Sequence, residues 1–150
     1  MKPNRLNRFS LLCSLICYLI VCCPPTLTAQ QQPREVVRIL AVGNSFSDDG
    51  VEYLDELAKA AGIRLIVGNL YIGGCSLERH WENVSKGLPA YDYRKNCEGV
   101  QSNTPKTSLL SALQDEPWDY ITVQQVSQNS GLYDTYYPFM PSLLQYLRTH

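Results

Sequence analysis

The sequence predicts an α/β fold in which a parallel sheet lies between two helical layers, a three-layer α/β/α arrangement. Short apolar runs alternate along the chain with stretches that have one apolar stripe at helical spacing. The first run, residues 36–42, is almost continuously apolar, as in a strand that is covered on both faces. Because such alternation is joined by right-handed crossovers, we expect neighbouring strands to be parallel.

Three strands and three helices follow from these patterns. Strands are predicted at residues 36–42, 63–70 and 120–123, and helices at 49–61, 107–115 and 138–148. Asp49 and Glu52 approximate a capping box for the first helix, and Gly62 is a typical stop. Residues 78–105 are polar and aromatic without a clean period, so we expect an irregular excursion with one short helix.

The first 29 residues have the pattern of a secretory signal peptide. Lys2, Arg5 and Arg8 precede an apolar run at residues 9–21, and cleavage is expected after Ala29. The chain is therefore expected to be exported, to the periplasm or outside the cell. Processing at a lipidated cysteine is an alternative to simple cleavage, but the sequence fits that pattern less well. A membrane anchor is the other alternative, but the run is shorter than the roughly 20 apolar residues that span a bilayer. No membrane span is expected after cleavage.

Composition and cysteine count narrow the classes of partner. The 13 basic and 14 acidic residues show no basic excess, which argues against a nucleic-acid partner. Signal cleavage would leave two cysteines, Cys75 and Cys97, and an oxidising compartment permits a disulfide between them. No Cys/His spacing is typical of a zinc site. Neither a metal nor an organic cofactor is expected.

A serine turn follows the first predicted strand. Gly43 lets the strand turn sharply, and Ser45 then lies at the start of a helix whose N–H groups favour negative charge. These groups could stabilise an oxyanion formed beside the Ser45 hydroxyl. The alternative is that Ser45 or Ser47 only caps the helix.

Two other polar segments follow predicted strands. The pair Gly73 and Gly74 comes after the second strand, and Gln124, Gln125 and Gln128 come after the third. Ligands in open α/β sheets bind beyond the carboxyl ends of the strands. We therefore expect these segments to approach the serine turn, unless they are an ordinary turn and solvated loop glutamines.

The motif Gly-Asn-Ser-Phe-Ser at residues 43–47 resembles the first block of the SGNH/GDSL hydrolase superfamily, whose usual form is Gly-Asp-Ser-Leu-Ser/Thr. The resemblance implies an SGNH/flavodoxin-like sheet and makes Ser45 the nucleophile. Gly74, with Gly73 as second choice, is similar to the family's oxyanion glycine. In place of the third block, Gly-x-Asn-Asp, Gln128 occupies the position of the asparagine, and Gln125 and Gln124 are alternatives.

Substrate contacts are expected from residues beside these blocks, namely Asn44, His80, Trp81 and Gln124. The alternative for His80 is a structural role instead of a contact with substrate. Several tyrosines flank the same segments and suggest stacking on sugars, although tyrosines are also common core residues.

The family's Asp-x-x-His block, which supplies the general base, is missing. Leu147 rather than Asp precedes His150 by three residues. We therefore interpret residues 30–150 as the N-terminal part of a hydrolase domain, weak or inactive alone because its serine lacks a base. The predicted function is hydrolysis of a small-molecule or carbohydrate carboxylic ester, including carbohydrate O-acetyl esters. The alternatives are a non-catalytic carbohydrate-binding protein on the same fold and an inactive truncated fragment.

Overall fold

The computed structural model describes residues 36–150 of the 150-residue chain. The predicted signal peptide at residues 1–29, with its four cysteines, lies outside the described residues. No helix within residues 36–150 is long and apolar enough to cross a membrane.

Five strands and five α-helices make up the described part of the chain, with two short 3-10 helices at Ser127–Asn129 and Tyr133–Tyr136. The strands are β1 Val36–Gly43, β2 Arg64–Tyr71, β3 Tyr91–Cys97, β4 Val100–Thr107 and β5 Tyr120–Val123. The helices are α1 Ser45–Val51, α2 Leu54–Ala61, α3 Leu77–Ser85, α4 Leu109–Leu113 and α5 Phe139–Thr149.

The strands form one mixed sheet in the order β4-β3-β2-β1-β5. The central strand β1 pairs in parallel with β2 on one side and with β5 on the other. These are the three strands predicted from the sequence. Because β3 and β4 add antiparallel pairs beyond β2, the prediction of a wholly parallel sheet is wrong for that half.

The antiparallel half is a hairpin where an irregular segment was predicted. Glu98 and Gly99 join β3 to β4, and both have positive φ, 54° and 94°, as a two-residue primed turn requires. The Asn96 Oδ1 atom accepts a hydrogen bond of 2.7 Å from the Gly99 N–H. Pro105 is tolerated in β4 because β4 is an edge strand.

The helix after β1 begins earlier than predicted. Asn44 is its N-cap and α1 starts at Ser45, so the capping box expected at Asp49 is wrong. The single helix predicted at residues 49–61 is interrupted, so that α1 ends at Val51 and α2 begins at Leu54. The predicted stop at Gly62 is confirmed, since this residue has φ 73° and donates to the Lys59 carbonyl at 3.1 Å.

Gly68 lies in the middle of β2, where two aromatic rings pack against the strand. A methyl group there would lie 2.8 Å from Trp118 Cη2, 2.9 Å from Tyr93 Cε2 and 3.0 Å from Leu40 Cδ1. Leu40 and Tyr93 belong to the buried core cluster, and Trp118 packs against it. The glycine is therefore required by close packing rather than by backbone conformation.

Gly68→Ala is expected to lower the free energy of unfolding by about 2 kcal/mol, since the added methyl overpacks a core that has no space for it. Urea unfolding would measure this. Gly50→Ala is the matched control: its added methyl meets nothing within 4 Å. Because Gly50 lies inside α1, that change is expected to be neutral or to stabilise by up to about 1 kcal/mol. A Gly68→Ala protein as stable as the parent would contradict the packing argument.

Cys75 and Cys97 are both free thiols, so the disulfide that export would permit is not formed. Cys75 is buried, and burial raises the pKa of its thiol to about 12. Cys97 is exposed at the end of β3.

Candidate active site

Asn44 holds together the ends of the three parallel strands. Its side chain is 1% exposed, and its Nδ2 donates to the carbonyls of Cys75 at 3.1 Å and Gln125 at 3.3 Å. Its Oδ1 accepts from the Phe46 N–H at 3.1 Å. One buried amide thereby joins the end of β1, the turn after β2 and the segment after β5, and it caps α1. Asn44 is thus a structural residue rather than an open substrate contact.

Ser45 follows this amide and is exposed as the first residue of α1. Among the described residues its hydroxyl makes no hydrogen bond. The cap of α1 is Asn44, so the alternative that Ser45 or Ser47 caps the helix is wrong. Ser47 is buried instead, with its Oγ 2.7 Å from the Asn44 carbonyl and 3.0 Å from Asn69 Oδ1.

Gly43 is needed because side chains crowd the strand end. A methyl group at Gly43 would lie 2.6 Å from Ser47 Oγ and 2.9 Å from Gln124 Cβ. Gln124 is half-buried, and its backbone N–H donates to the Val42 carbonyl at 2.9 Å. The side chain of Gln124 therefore starts directly beside the serine turn, and it makes no hydrogen bond within residues 36–150.

The Gly73–Gly74 pair forms a tight turn, closed by a hydrogen bond of 3.2 Å from the Cys75 N–H to the Ile72 carbonyl. Gly74 has φ 60°, and a methyl group there would meet nothing within 4 Å. Both glycines are exposed. The Gly74 N–H has no acceptor among the described residues. Since Cys75 also accepts from Asn44, the turn lies next to the residue that precedes Ser45.

The amide of Gln125 is used inside the fold. Its Oε1 accepts from the N–H groups of Leu77 and Val126 at 3.0 and 2.9 Å. Its Nε2 donates to the carbonyl and the hydroxyl of Thr135 at 3.3 and 3.2 Å. With both donors engaged and 5% exposure, this side chain has no donor left for an oxyanion. Gln128 is exposed on a 3-10 helix, where its Oε1 lies 3.4 Å from Ser127 Oγ.

His80 is a core residue and does not line an open site. It is completely buried, and its Nδ1 lies 3.0 Å from the Tyr91 hydroxyl. Burial, with a smaller effect from Arg79, lowers the pKa of its imidazole to about 4. Two buried atoms on α3, His80 Nε2 and Asn83 Nδ2, have no hydrogen-bond partner within residues 36–150. Trp81 is half-buried and packs against the core.

A polar network that the sequence did not indicate lies where α1 meets β2 and β3. The Asn69 Nδ2 donates to Asp48 Oδ1 at 2.6 Å, and the Arg94 guanidinium donates to Asp48 Oδ2. Arg94 also lies over the Tyr71 ring, 3.9 Å from its centroid. Because Arg94 belongs to the hairpin strand β3, no sequence signal placed it beside Asp48.

Two cavities within residues 36–150 have the volume of a ligand site. A polar pocket of about 420 Å³ lies between α1 and the hairpin. A mostly apolar groove of about 890 Å³ runs between the 3-10 segments and α5, and it is lined by three tyrosines, Tyr133, Tyr136 and Tyr137. By contrast, Tyr91 and Tyr93 are buried in the core. Residues 36–150 contain no group of His, Cys, Asp or Glu that could hold a metal ion.

This geometry defines an α/β protein with an exposed serine at the carboxyl ends of its parallel strands. The chain belongs to the DUF4886 family, described as a domain of unknown function, which it matches over residues 38–150. It is similar to a DUF4886 family protein from Bacteroides uniformis ATCC 8492 whose crystal structure is known, with 50% identity and a TM-score of 0.75. That similarity covers 77% of this chain and 45% of the other chain. No curated protein matches the chain.

The assignment to the SGNH/GDSL superfamily is wrong. The family shown by both matches is DUF4886, and neither match is described as an SGNH/GDSL hydrolase. The resemblance depended chiefly on the five residues 43–47, and this segment is too short to define a family.

Proposed function

We propose that this chain carries the nucleophile of a serine-dependent carboxylic ester hydrolase. The observation that carries the proposal is the exposed, unpaired hydroxyl of Ser45, held by Asn44 where three parallel strand ends meet. Ligands in sheets of this kind bind beyond such strand ends. The Ser45 Oγ would form a bond to the acyl carbon of the ester as its proton passes to a base. The ester C–O bond would then break, the alcohol would leave with that proton, and water would hydrolyse the acyl-serine to release the acid.

Two backbone donors support an oxyanion site. The N–H groups of Ser45 and Gly74 have no acceptor within the described residues, and both flank segments that Asn44 ties together. Together they could stabilise the tetrahedral oxygen as it gains charge. The side-chain N–H groups of Gln124 and Gln128, which make no hydrogen bond within residues 36–150, remain candidates for a third donor, whereas Gln125 is engaged elsewhere.

The proposal requires a base from outside this set of residues. No histidine or carboxylate within residues 36–150 hydrogen-bonds the Ser45 hydroxyl, and an unassisted serine is a weak nucleophile. His80 is buried in the core, and His150 lies at the end of α5 with its Nδ1 3.0 Å from the Tyr146 carbonyl. Since the chain spans 45% of its structural relative, the activity we propose belongs to the full-length protein.

The proposed setting is a three-layer α/β/α arrangement around β2, β1 and β5. Helix α1 meets one face of β2 through Ser47 and Asn69. On the opposite face Gly68 touches Trp118, whose indole N–H donates to Ala112 of α4 at 2.8 Å. An exported protein acting on a small-molecule or carbohydrate ester remains the proposed context.

Covalent labelling of the full-length protein with a phosphonate ester, read by intact mass, tests the role of Ser45. We expect one adduct in the parent protein and none in Ser45→Ala. Ser130→Ala is the matched control: this serine is also exposed, but its hydroxyl is bonded to the Ser127 carbonyl, and labelling should persist. An adduct that survives in Ser45→Ala would remove this residue from the role.

The second candidate is a carbohydrate-binding protein without turnover, and the tyrosine-lined groove favours it. Tyr133 is 72% exposed and Tyr137 is 52% exposed, so their rings are available for stacking on a sugar. This function would be insensitive to Ser45→Ala.

A further inference from the structure

We propose that the polar pocket between α1 and the hairpin binds a neutral sugar residue, which is the alcohol part of the ester attacked by Ser45. This inference rests on the function proposed for Ser45 and adds a substrate class and a second site. The polar pocket is lined by Asp48, Asp49, Val51, Glu52, Val67, Asn69, Arg94, Lys95, Asn96, Gln101 and Ser102.

The floor of the polar pocket is one face of three adjacent strands. Val67 of β2 is paired with Asn96 of β3, and Asn96 is paired with Gln101 of β4. In the next row Asn69 is paired with Arg94. Because side chains alternate along a strand, these residues all lie on the same face of the sheet. The floor therefore presents the Gln101 amide and the Asn96 Nδ2 group beside the Arg94 guanidinium. Val67 and Asn69 are buried beneath them, and the Asn69 amide is bonded to Ser47 and Asp48.

The wall of the polar pocket comes from α1. Asp48 and Asp49 lie three and four residues after Ser45, and residues with these spacings are neighbours on a helix surface, about 5–6 Å apart at Cβ. A ligand against this wall would therefore lie about one helical turn from the Ser45 hydroxyl.

The charges of the polar pocket disfavour an anionic ligand. The guanidinium of Arg94 is paired with Asp48, and the Lys95 ammonium is paired with Asp115 and Glu116 at 2.7 and 2.6 Å. The carboxylates of Asp49 and Glu52 have no such partner among the described residues. The pocket is thus left with an excess of negative charge, which repels phosphates and carboxylates.

Sugar hydroxyls suit the groups of the polar pocket that are left without a partner. Each hydroxyl both donates and accepts, so carboxylates and amides on opposite sides of a pocket can bind the same ring. Val51, which is half-buried, offers a small apolar contact for its C–H face. The volume of about 420 Å³ lies in the range of small-molecule sites, roughly 300–1,000 Å³.

Amide chemical shifts of isotope-labelled protein, titrated with methyl glycosides of glucose, galactose, mannose and N-acetylglucosamine, test this inference. The protein is used as Ser45→Ala, so that binding is read without turnover. We expect shifts at residues 48–52 and 94–102 with at least one glycoside. Gln101→Ala should weaken that binding by about fivefold, the usual loss for one hydrogen bond. Asn103→Ala, two residues further along the same exposed strand and outside the pocket, should leave it unchanged.

Three outcomes would overturn the inference. These are the absence of shifts with every glycoside, shifts confined to the tyrosine-lined groove, and stronger binding of glucuronate or inorganic phosphate than of neutral glycosides. Failure of the proposed function is a separate result, since a protein that phosphonates do not label can still bind sugars here. The thermal unfolding temperature of Gln101→Ala should equal that of the parent protein. This control verifies that the variant loses binding without losing its fold.

Discussion

Replacing Asn44 with alanine is expected to lower the free energy of unfolding by about 3 kcal/mol. The N-cap of α1 is lost, which costs about 1 kcal/mol. The buried carbonyls of Cys75 and Gln125 also lose their shared donor, and unsatisfied buried groups cost about 1–3 kcal/mol each. Because the segments after β2 and β5 are both tied to this side chain, Ser45 should lose its fixed position as well.

Asn44→Asp separates the two roles of the side chain. A carboxylate keeps the acceptor for the Phe46 N–H but loses the donor, and it places a negative charge against two carbonyl oxygens. Burial and these carbonyls should raise the pKa of the introduced carboxyl above its unfolded value of about 4. The part of the stability deficit that ionisation causes is then absent below about pH 4, grows as the pH rises above this value and is complete once the pH has passed the folded pKa.

Urea unfolding at pH 7 and at pH 4 measures both variants. Ser108→Ala is the control because Ser108 caps α4 by accepting from the Ser111 N–H and ties no other segment. It should cost only about 1 kcal/mol. The account of Asn44 as a tie between strand ends fails if Asn44→Ala costs no more than Ser108→Ala.

The parallel strands could be predicted because buried strands carry their signal in composition. In β1 the last four residues are buried, and six successive residues of β2 are buried, so both read as apolar runs. Strand β4 is exposed at seven of its eight positions. A strand that buries neither face shows no alternation, and β4 was missed for that reason.

The candidate site was predicted only in part, because its side chains are placed by residues far along the chain. The position of Ser45 after β1 followed from local sequence. The sequence could not tell which polar residue caps α1, since Asn44, Ser45, Ser47 and Asp49 are all good caps. The role of Gln125 depends on Thr135 and Leu77, and the burial of His80 depends on Tyr91 of the missed hairpin.

Acid is expected to destabilise the fold through His80. The imidazole is neutral when buried against the Tyr91 hydroxyl, and its folded pKa is lowered to about 4. The unfolded chain takes up a proton near pH 6.5, whereas the folded chain does not. Because the pKa of His80 is lower in the folded chain than in the unfolded chain, its contribution to the free energy of unfolding is fully present above about pH 6.5. This contribution is lost as the pH falls towards 4. The loss is about 3 kcal/mol over this window.

Urea unfolding between pH 7 and pH 4.5 measures this loss, with His80→Phe as the test variant. The phenyl ring keeps the bulk of the buried side chain but cannot take up a proton, so the pH dependence that His80 causes should disappear. The variant should be less stable than the parent at pH 7, because the Tyr91 hydroxyl loses its partner, and the two should converge as the pH falls. His150→Phe alters an exposed residue and should retain the slope of the parent. If His80→Phe and the parent lose stability in parallel, groups other than His80 cause the acid sensitivity.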